Sequence, residues 1–329
     1  MAVFLIISLI IILIGAETFT NSVEWLGKKL DLGDGAVGSI FAAVGTAMPE
    51  TLVPVIAILG GHGAAGHDVG IGAILGAPFM LATLAMFVTG CAAFAKRRNN
   101  TSMQINPQIM KRDMRFFLLV YTVAILSSFL QNYSLKLLII AFLVCAYCYY
   151  VYKTIRSSIG QNNGEEDVNP LYLMRKSGNP PFALVVFQTA FALGIIILGA
   201  NIFVAAVQKV AAGLGVPVLI LSLIITPIAT ELPEKFNSII WVSRGKDTLA
   251  LGNITGAMVF QSSLIPALGI LLTDWMLEPI AILSAALALT AVVCQYAGLF
   301  GKHELKPGHL MAGGIFYLIF ILAVVTGIF

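Results

Sequence analysis

The stretch GTAMPET, from Gly45 to Thr51, has a counterpart in ATELPEK, from Ala229 to Lys235. Each stretch places a Pro-Glu pair in the middle of a long apolar segment. A carboxylate inside a membrane costs on the order of a few kcal/mol or more, so by default it marks an ion or proton path. The two stretches therefore predict a duplicated site with one buried carboxylate in each copy.

Two further matches extend the duplication along the chain. The Gly-Ala pair at Gly15 aligns with the pair at Gly199, thirty-four residues before the Pro-Glu pair of each copy. GAILGAPFML, from Gly72, aligns with GNITGAMVFQ, from Gly252. Three matches in the same order indicate an internal repeat, which determines the architecture.

The composition places this chain in a lipid bilayer. It has 329 residues, of which 59% are hydrophobic and 11% charged, and a soluble domain of this length cannot bury so much apolar surface. We predict an all-α polytopic protein, because backbone polar groups in lipid must be satisfied within helices. Ten segments are long enough to cross a hydrocarbon core of about 30 Å: 2–26, 36–60, 69–95, 114–131, 135–155, 181–209, 216–243, 247–273, 278–298 and 308–328.

The distribution of basic residues supports this count. The loops after the odd-numbered spans carry sixteen of the nineteen Lys and Arg residues, the opposite side carries Lys136 and Lys209, and Lys235 lies within a span. Cytoplasmic loops are the ones enriched in Lys and Arg. We therefore predict a multi-pass plasma (inner) membrane protein with both termini outside the cytoplasm.

The predicted spans divide into two halves of five. Residues 1–155 form the first repeat, residues 156–180 a solvated cytoplasmic linker, and residues 181–329 the second repeat. Because five is odd, the second half enters the membrane from the opposite side, and the repeats are inverted. Inverted repeats are typical of secondary transporters, whose sites lie near the bilayer midplane where the repeats meet.

Glu50 and Glu234 are the central pair of predicted metal-binding carboxylates. Each follows a proline, which removes a helix hydrogen bond and frees a carbonyl one turn back. Thr46 and Thr230 lie four residues before these glutamates, and can share a helix face with them. Carbonyls, hydroxyls and a carboxylate together offer the all-oxygen shell that hard cations need.

These paired motifs resemble the alpha repeats of the sodium/calcium exchanger (cation/calcium exchanger) superfamily, in its prokaryotic form. That family carries a GTSxPE-type motif on helices two and seven, and a GNxxGSNxFN-type motif on helices three and eight. The resemblance covers essentially the whole chain and implies ten helices as inverted five-helix repeats. It also implies that Glu50 and Glu234 ligate calcium, and that Thr46 and Thr230 help to bind sodium and calcium.

The departures from the family pattern fall on its ion ligands. Glu231 replaces the serine after the threonine in the second copy. Side-chain oxygens of the pattern are missing at Ala47, Ala77, Pro78, Ala257 and Met258. Either protons replace sodium as the driving ion, or the substrate is a divalent cation that keeps more of its water, as magnesium does. Glu231 is then a third ligand or proton carrier, or it is an ion-pair partner of Lys235.

Weaker candidates have both a functional and a structural explanation: Glu17, Asn237, Ser238, Asn253 and Gln261. Glu17 aligns with Asn201, and either guides ions at a vestibule or lies near a helix end. Asn237 and Ser238 either line the path or satisfy the backbone locally. Asn253 and Gln261 occupy motif positions that can be mainly structural.

A short polar segment after the second span carries His62, His67 and Asp68. We predict it to be an outer loop. Its side chains are of types that collect metals, but glycine-rich exposed loops commonly hold histidine.

The leading hypothesis is a secondary antiporter that exchanges calcium or a related divalent cation for protons or sodium by alternating access. A cation channel, with the same carboxylates as its selectivity site, is the alternative. The sequence contains no HExxH, GxSxG or nucleotide-binding loop, so we expect neither enzyme activity nor a cofactor. The expected partners are inorganic cations and the lipid bilayer, with no nucleic acid.

Overall fold

Every regular element in the described part of the chain is helical. The computed structural model describes residues 2–30, 47–97, 102–158, 169–174, 179–301 and 305–327. We number the helices within these ranges in chain order: α1 Ala2–Lys29, α2 Met48–Leu59, α3 Gly63–Met80, α4 Met86–Arg97, α5 Pro107–Leu126, α6 Tyr133–Ser158, α7 Phe182–Leu214, α8 Val218–Ser243, α9 Asp247–Leu272, α10 Pro279–Gly301, α11 Pro307–Met311 and α12 Gly313–Thr326.

Seven segments of the described chain are long and apolar enough to cross a membrane. They are α1, the continuous segment from α3 to α4, α6, α7, α9, α10, and α11 with α12. Shorter apolar helices cover Met48–Leu59 and Val218–Glu231. The protein is therefore a multi-pass membrane protein, while the count of ten spans, the inverted repeat and the domain limits stay predictions.

The segment from α3 to α4 and helix α9 form the buried centre, whereas α1, α6 and α12 are largely exposed and apolar, as expected for helices that face lipid.

Glycines bring α3 against α8. A Cβ atom on Gly72 would lie 2.6 Å from the Ser222 Cβ, and one on Gly76 would lie 2.5 Å from the Leu223 carbonyl oxygen. Small residues permit such close helix contacts in membranes. The contact places helix α3, which carries GAILGAPFML, beside helix α8, which carries ATELPEK.

A reciprocal contact joins α1 to α7. A Cβ atom on Gly15 would lie 2.8 Å from Ile196 Cγ1, and one on Gly199 would lie 2.8 Å from Ile12 Cγ1. Because the contact moves forward along one helix as it moves back along the other, the two helices cross antiparallel. The glycines that the sequence aligns therefore meet at one crossing point.

A π turn at Leu81–Ala85 joins α3 to α4, three residues after Pro78. Gln295, on α10, donates a hydrogen bond of 2.8 Å to the Ala82 carbonyl within this turn. Gly313, at the start of α12, lies so close that a Cβ atom there would be 2.5 Å from the Thr83 carbonyl oxygen. Two helices from the second half thus hold the irregular turn of the first.

Three sequence predictions of local structure differ from the structure. His67 and Asp68 lie within α3 and not in a loop. Helix α5 begins at Pro107, seven residues before the predicted span, because Asn106 accepts hydrogen bonds from the backbone N–H groups of Gln108 and Ile109. An Asn cap followed by proline is a strong helix start. The linker, predicted to be solvated, contains a packed segment at 169–174, with Leu171 fully buried.

Candidate functional site

Glu50 lies in the first turn of helix α2, Met48–Leu59, and only 6% of its surface is exposed. Proline at the start of the helix suits a position where no backbone N–H is needed. Negative charge is favoured at a helix N-terminus, because the first N–H groups have no partner within the helix. The hydroxyl of Thr51, the residue after Glu50, donates to the Ala47 carbonyl at 2.7 Å.

Glu231 lies inside α8, and its side chain is 1% exposed. Gln261, on α9 and 2% exposed, donates from Nε2 to Glu231 Oε1 at 2.8 Å. The amide oxygen of Gln261 is buried and has no hydrogen-bond partner among the described residues. Because the amide N–H group donates to the carboxylate, the amide oxygen can bind a cation that the same carboxylate also binds.

A row of hydroxyl groups at four-residue spacing on α8 ends at Thr230, the residue before Glu231. Ser222 donates to the Val69 carbonyl of α3 at 2.8 Å, and its oxygen lies 2.9 Å from that of Thr226. Thr230 donates to the Thr226 carbonyl at 3.2 Å, and is buried. Ser222 and Thr226 were not among the predicted site residues, although they lie eight and four residues before Thr230, a spacing that places all three on one helix face.

Ser238 and Asn253 do not join this cluster. Ser238 donates to the Ala250 carbonyl at 3.1 Å and accepts from Asn253 Nδ2 at 3.3 Å. Seven residues separate Ser238 from Glu231, which is about 10 Å along a helix. These two side chains connect α8 to α9 in the structure.

Thr255 also points away, because it donates to Asp113 Oδ2 of α5 at 2.8 Å. Asp113 is buried, and it further accepts from Arg112 Nε at 3.0 Å and from the Tyr150 hydroxyl at 2.9 Å. This cluster joins α5, α6 and α9. The sequence does not predict this cluster, since Asp113 lies one residue before the predicted span 114–131, within a run of basic residues.

The motif positions that lack side-chain oxygens are buried among apolar groups. Ala77 and Pro78 lie in the buried part of α3, and Met258 in that of α9. No group of three or more His, Cys, Asp and Glu side chains close enough to hold a metal ion occurs within the described residues. The side chain of Glu234 is not among those described side chains.

Three predicted site residues fall wholly or partly outside the described residues. Thr46 is one of them, and the side chains of Glu234 and Asn237 are the others. The backbone of Glu234 lies in α8, three residues after Glu231. The roles predicted for these three residues, and for Lys235 as a partner of Glu231, stay predictions.

The remaining candidate, Glu17, lies on α1 and is exposed. Its Oε1 accepts a hydrogen bond of 2.8 Å from the hydroxyl of Tyr172. Asn201, which aligns with Glu17 in the second half, lies on α7 with its Oδ1 3.3 Å from His62 Nε2. Both members of this aligned pair therefore contact a side chain from a connecting segment.

With this geometry in place, comparison with known proteins identifies the class. A family model for the sodium/calcium exchanger protein matches residues 1–156 and 184–329. The chain belongs to the sodium/calcium exchanger family, which is a family of membrane transporters and not of enzymes.

Individual relatives support the same class. The chain is 23% identical over 317 residues to the inner membrane protein YrbG of Escherichia coli (strain K12), covering 94% of this chain and 93% of that protein. It is 24% identical over 282 residues to the putative antiporter CaxA of Alkalimonas amylolytica, covering 85% and 83%. Among solved structures, the crystal structure of an H+/Ca2+ exchanger CAX matches with a TM-score of 0.75 and 17% identity, covering 98% of this chain and 81% of that one. This last likeness shows a shared fold.

Proposed function

We propose that this protein is a secondary antiporter that exchanges calcium or a related divalent cation for protons by alternating access. The observation that carries the proposal is the buried Glu231 carboxylate, hydrogen-bonded at 2.8 Å by the buried Gln261 amide, in a chain of the exchanger family. A carboxylate this far from water is expensive in a membrane, so an ion or proton path is the reason to keep it.

The substrate is a hard cation, since the candidate ligands are oxygens. Glu50 and Glu231 provide carboxylates on α2 and α8, and Thr230 and Gln261 provide neutral oxygens. Glu234 and Thr46 complete the set that the sequence predicts. A shell of carboxylates and carbonyl-type oxygens suits divalent cations such as calcium, and magnesium where water fills the remaining positions.

Protons are favoured over sodium as the coupling ion by the shortage of neutral oxygens. A sodium ion needs several oxygens to replace its water, whereas the motif positions Ala77, Pro78 and Met258 provide no side-chain oxygen. Thr255 directs its hydroxyl to Asp113. A proton needs one carboxylate, and burial favours the neutral form of a carboxylic acid in general. The same glutamates then exchange a divalent cation for protons, titrating as a coupled group.

The test is flux in sealed vesicles that contain the purified protein. Calcium, magnesium and manganese uptake are each measured with a pH gradient in the absence of sodium, and with a sodium gradient at equal pH. Uptake driven by the pH gradient alone is the expected result. Uptake that requires sodium would reject proton coupling, and uptake without any counter-ion gradient or counterflow would instead indicate a channel.

A further inference from the structure

A pocket with a volume of about 790 Å³ lies at one end of the helix bundle, away from the carboxylates described above. Most of its wall comes from the α5–α6 and α9–α10 connections, between residues 128 and 136 and between residues 271 and 277. The distribution of basic residues predicts that this side lies outside the cytoplasm. Because the ends of membrane-spanning helices lie at the edges of the hydrocarbon core, the pocket lies at the level of the lipid headgroups.

Lys136 provides a buried cation in this pocket. It is the fourth residue of α6, and only 7% of its surface is exposed. Its ammonium group donates a hydrogen bond to the backbone carbonyl of Asp274. Among the described residues, the ammonium group has no second acceptor and no carboxylate within ion-pair distance. Since an ammonium group has three N–H donors, most of its hydrogen-bonding capacity is available to a ligand.

Two physical effects oppose a cation at this position. Asn132 fixes the start of α6, because its Oδ1 accepts from the Ser134 N–H at 2.9 Å, and Lys136 follows directly in the first turns of the helix. The N-terminal end of a helix carries partial positive charge, which destabilises a nearby ammonium group. A buried charge is also costly unless an opposite charge pairs with it. A bound anion removes both penalties, whereas an apolar occupant of the pocket removes neither.

Trp275 holds the segment whose carbonyl accepts the Lys136 hydrogen bond. Its backbone φ of 48° is left-handed, which is unusual for a bulky residue. Its indole Nε1 donates to the Ala124 carbonyl of α5 at 3.0 Å, and its backbone N–H donates to Thr273 Oγ1 at 3.0 Å. The ring is fully buried and lies against Gly269 of α9. Unfavourable backbone conformations that the surroundings hold in place are common at ligand sites, and this one fixes the wall of the pocket.

Asp274 adds a carboxylate to the same pocket. It lines the pocket and is exposed, and its side chain forms no ion pair with Lys136 in the structure. Gln131 and Tyr133 also line the pocket, and their amide and hydroxyl groups can donate hydrogen bonds to anionic oxygens. The pocket therefore presents one cation and one anion that do not neutralise each other by direct contact.

The rim of the pocket is apolar and exposed. Phe129 is 65% exposed and Met276 is 70% exposed. Leu135 and Leu138 continue this apolar surface along α6, and both are exposed. A buried charge beside an exposed apolar surface suits an amphipathic ligand, with its polar head in the pocket and its apolar chains along the helices.

We propose that this pocket binds a phospholipid whose headgroup carries both a phosphate and a primary ammonium group, as in phosphatidylethanolamine. The phosphate binds the Lys136 ammonium group, and the ammonium group of the lipid binds the Asp274 carboxylate. A headgroup with a phosphate alone places negative charge beside Asp274 and leaves that carboxylate unpaired. A quaternary ammonium group, as in phosphatidylcholine, has no N–H to donate. Such a site is independent of the proposed transport function.

The first test measures lipid binding to the purified protein in detergent by native mass spectrometry. Phosphatidylethanolamine, phosphatidylglycerol and phosphatidylcholine with identical acyl chains are titrated separately. Phosphatidylethanolamine should bind with a Kd roughly three- to tenfold lower than either of the others, because only its headgroup can bond to both charges. Equal affinity for all three lipids, or a preference for another of them, would overturn the proposal.

Lys136→Met removes the charge and keeps most of the length of the side chain. It should weaken the binding of phosphatidylethanolamine roughly tenfold or more, whereas Lys136→Arg, which keeps the charge, should retain binding. Lys209→Met is the matched control, because Lys209 is exposed on the same predicted side and does not line the pocket. Parental binding by Lys136→Met, or an equal loss in Lys209→Met, would show that the lipid does not use this pocket.

Asp274→Asn tests the second charge, and it decides the question even where Lys136→Met does not fold, because Asp274 is exposed. It should remove the preference for phosphatidylethanolamine over phosphatidylglycerol, while the phosphate contact with Lys136 remains. Glu278→Gln, the same kind of change at an exposed residue outside the pocket, should keep the preference. A preference that persists in Asp274→Asn would show that the carboxylate does not recognise the headgroup.

Two further measurements identify the occupant. Inorganic phosphate and glycerophosphoethanolamine, which is the headgroup without acyl chains, are added in molar excess over the bound lipid. Neither should displace it, because neither contacts the apolar rim. Displacement by inorganic phosphate would show that the pocket binds a free anion. The mass of the protein in detergent should be the same for the parent and Lys136→Met, and a smaller assembly in the variant would show that a second copy of the chain covers the pocket in place of a lipid.

Discussion

Gln261 on α9 presents its amide N–H group to the carboxylate of Glu231 on α8, at 2.8 Å and away from water. The two residues lie thirty positions apart in sequence, yet their bond sets how the two motif helices of the second half face each other. It also orients the amide oxygen, which remains available for a ligand.

Glu231→Gln should reduce divalent-cation flux at least tenfold while leaving the protein folded. The substitution keeps the size and hydrogen bonding of the side chain, but removes the charge that a cation or a coupling proton requires. Initial rates of uptake in vesicles provide the measurement. Glu278→Gln, at an exposed carboxylate, is the control and should transport normally. Parental flux in Glu231→Gln would mean that Glu231 only stabilises the helix pair.

Glu50→Gln and Glu234→Gln should each abolish divalent-cation transport, because both carboxylates are predicted to hold the ion. Elution as a single species in detergent, at the parental volume, checks that each variant folds. Transport at the parental rate by either one would reject the model of two symmetric carboxylates.

Thr255→Val should lower the stability without abolishing transport in the folded protein. It leaves Asp113 buried with one acceptor site unfilled, at a cost of about 1–2 kcal/mol. Asp113→Ala should cost about 2 kcal/mol or more, since it removes the partner of Arg112 and Tyr150 as well. Thermal unfolding in detergent measures both variants and the double variant, whose effect should be smaller than the sum. Additive effects would mean that the bond between Asp113 and Thr255 contributes little.

Gly76→Val should prevent folding or lower the unfolding temperature strongly. The new side chain meets a backbone oxygen of α8 at 2.5 Å, which cannot move aside as a flexible side chain can. Gly194→Ala is the control, because no described atom lies within 4 Å of the position of its Cβ. Equal yields of folded protein from the two variants would argue against a close contact of α3 with α8.

Both termini should lie outside the cytoplasm. The imbalance of sixteen basic residues on one side against two on the other supports this orientation. A topology reporter fused after Phe329 measures it. A cytoplasmic signal from that reporter would reverse the orientation, or change the number of spans from even to odd.

The sequence was sufficient for the helical membrane class and the family, because both depend on local properties. A charged residue such as Glu231 inside an apolar segment is visible in the chain itself, and so is the repeat of Gly15 at Gly199. The pairing of Glu231 with Gln261 was not predicted, since it depends on how two neighbouring helices are rotated about their axes. Asn253, Thr255 and Gln261 lie along one helix, yet their side chains bond to three separate partners, Ser238, Asp113 and Glu231.

Most of the remaining differences between the sequence predictions and the structure concern where helices and ordered segments begin and end. The run of charge around Asp113 favours a loop, although Asn106 and Pro107 mark a helix start before it. The order of residues 169–174 was not predicted, because the neighbouring stretch from Gln161 to Asp167 is polar and charged and favours solvation of the whole connection. Its order comes largely from Asn21 and Gln188, which are distant in sequence and bond to the backbone of the segment, in addition to an internal hydrogen bond from the Met174 N–H to the Leu171 carbonyl.

The π turn between α3 and α4 has a consequence for biogenesis. Its Ala82 carbonyl receives its hydrogen bond from Gln295, and its Thr83 backbone is covered at Gly313, both near the end of the chain. A ribosome delivers these residues more than two hundred positions after the turn itself. The turn therefore lacks these contacts until the last helices have been inserted into the membrane. If the protein is divided at the linker into two separately expressed halves, it should regain its structure only when both halves are present together.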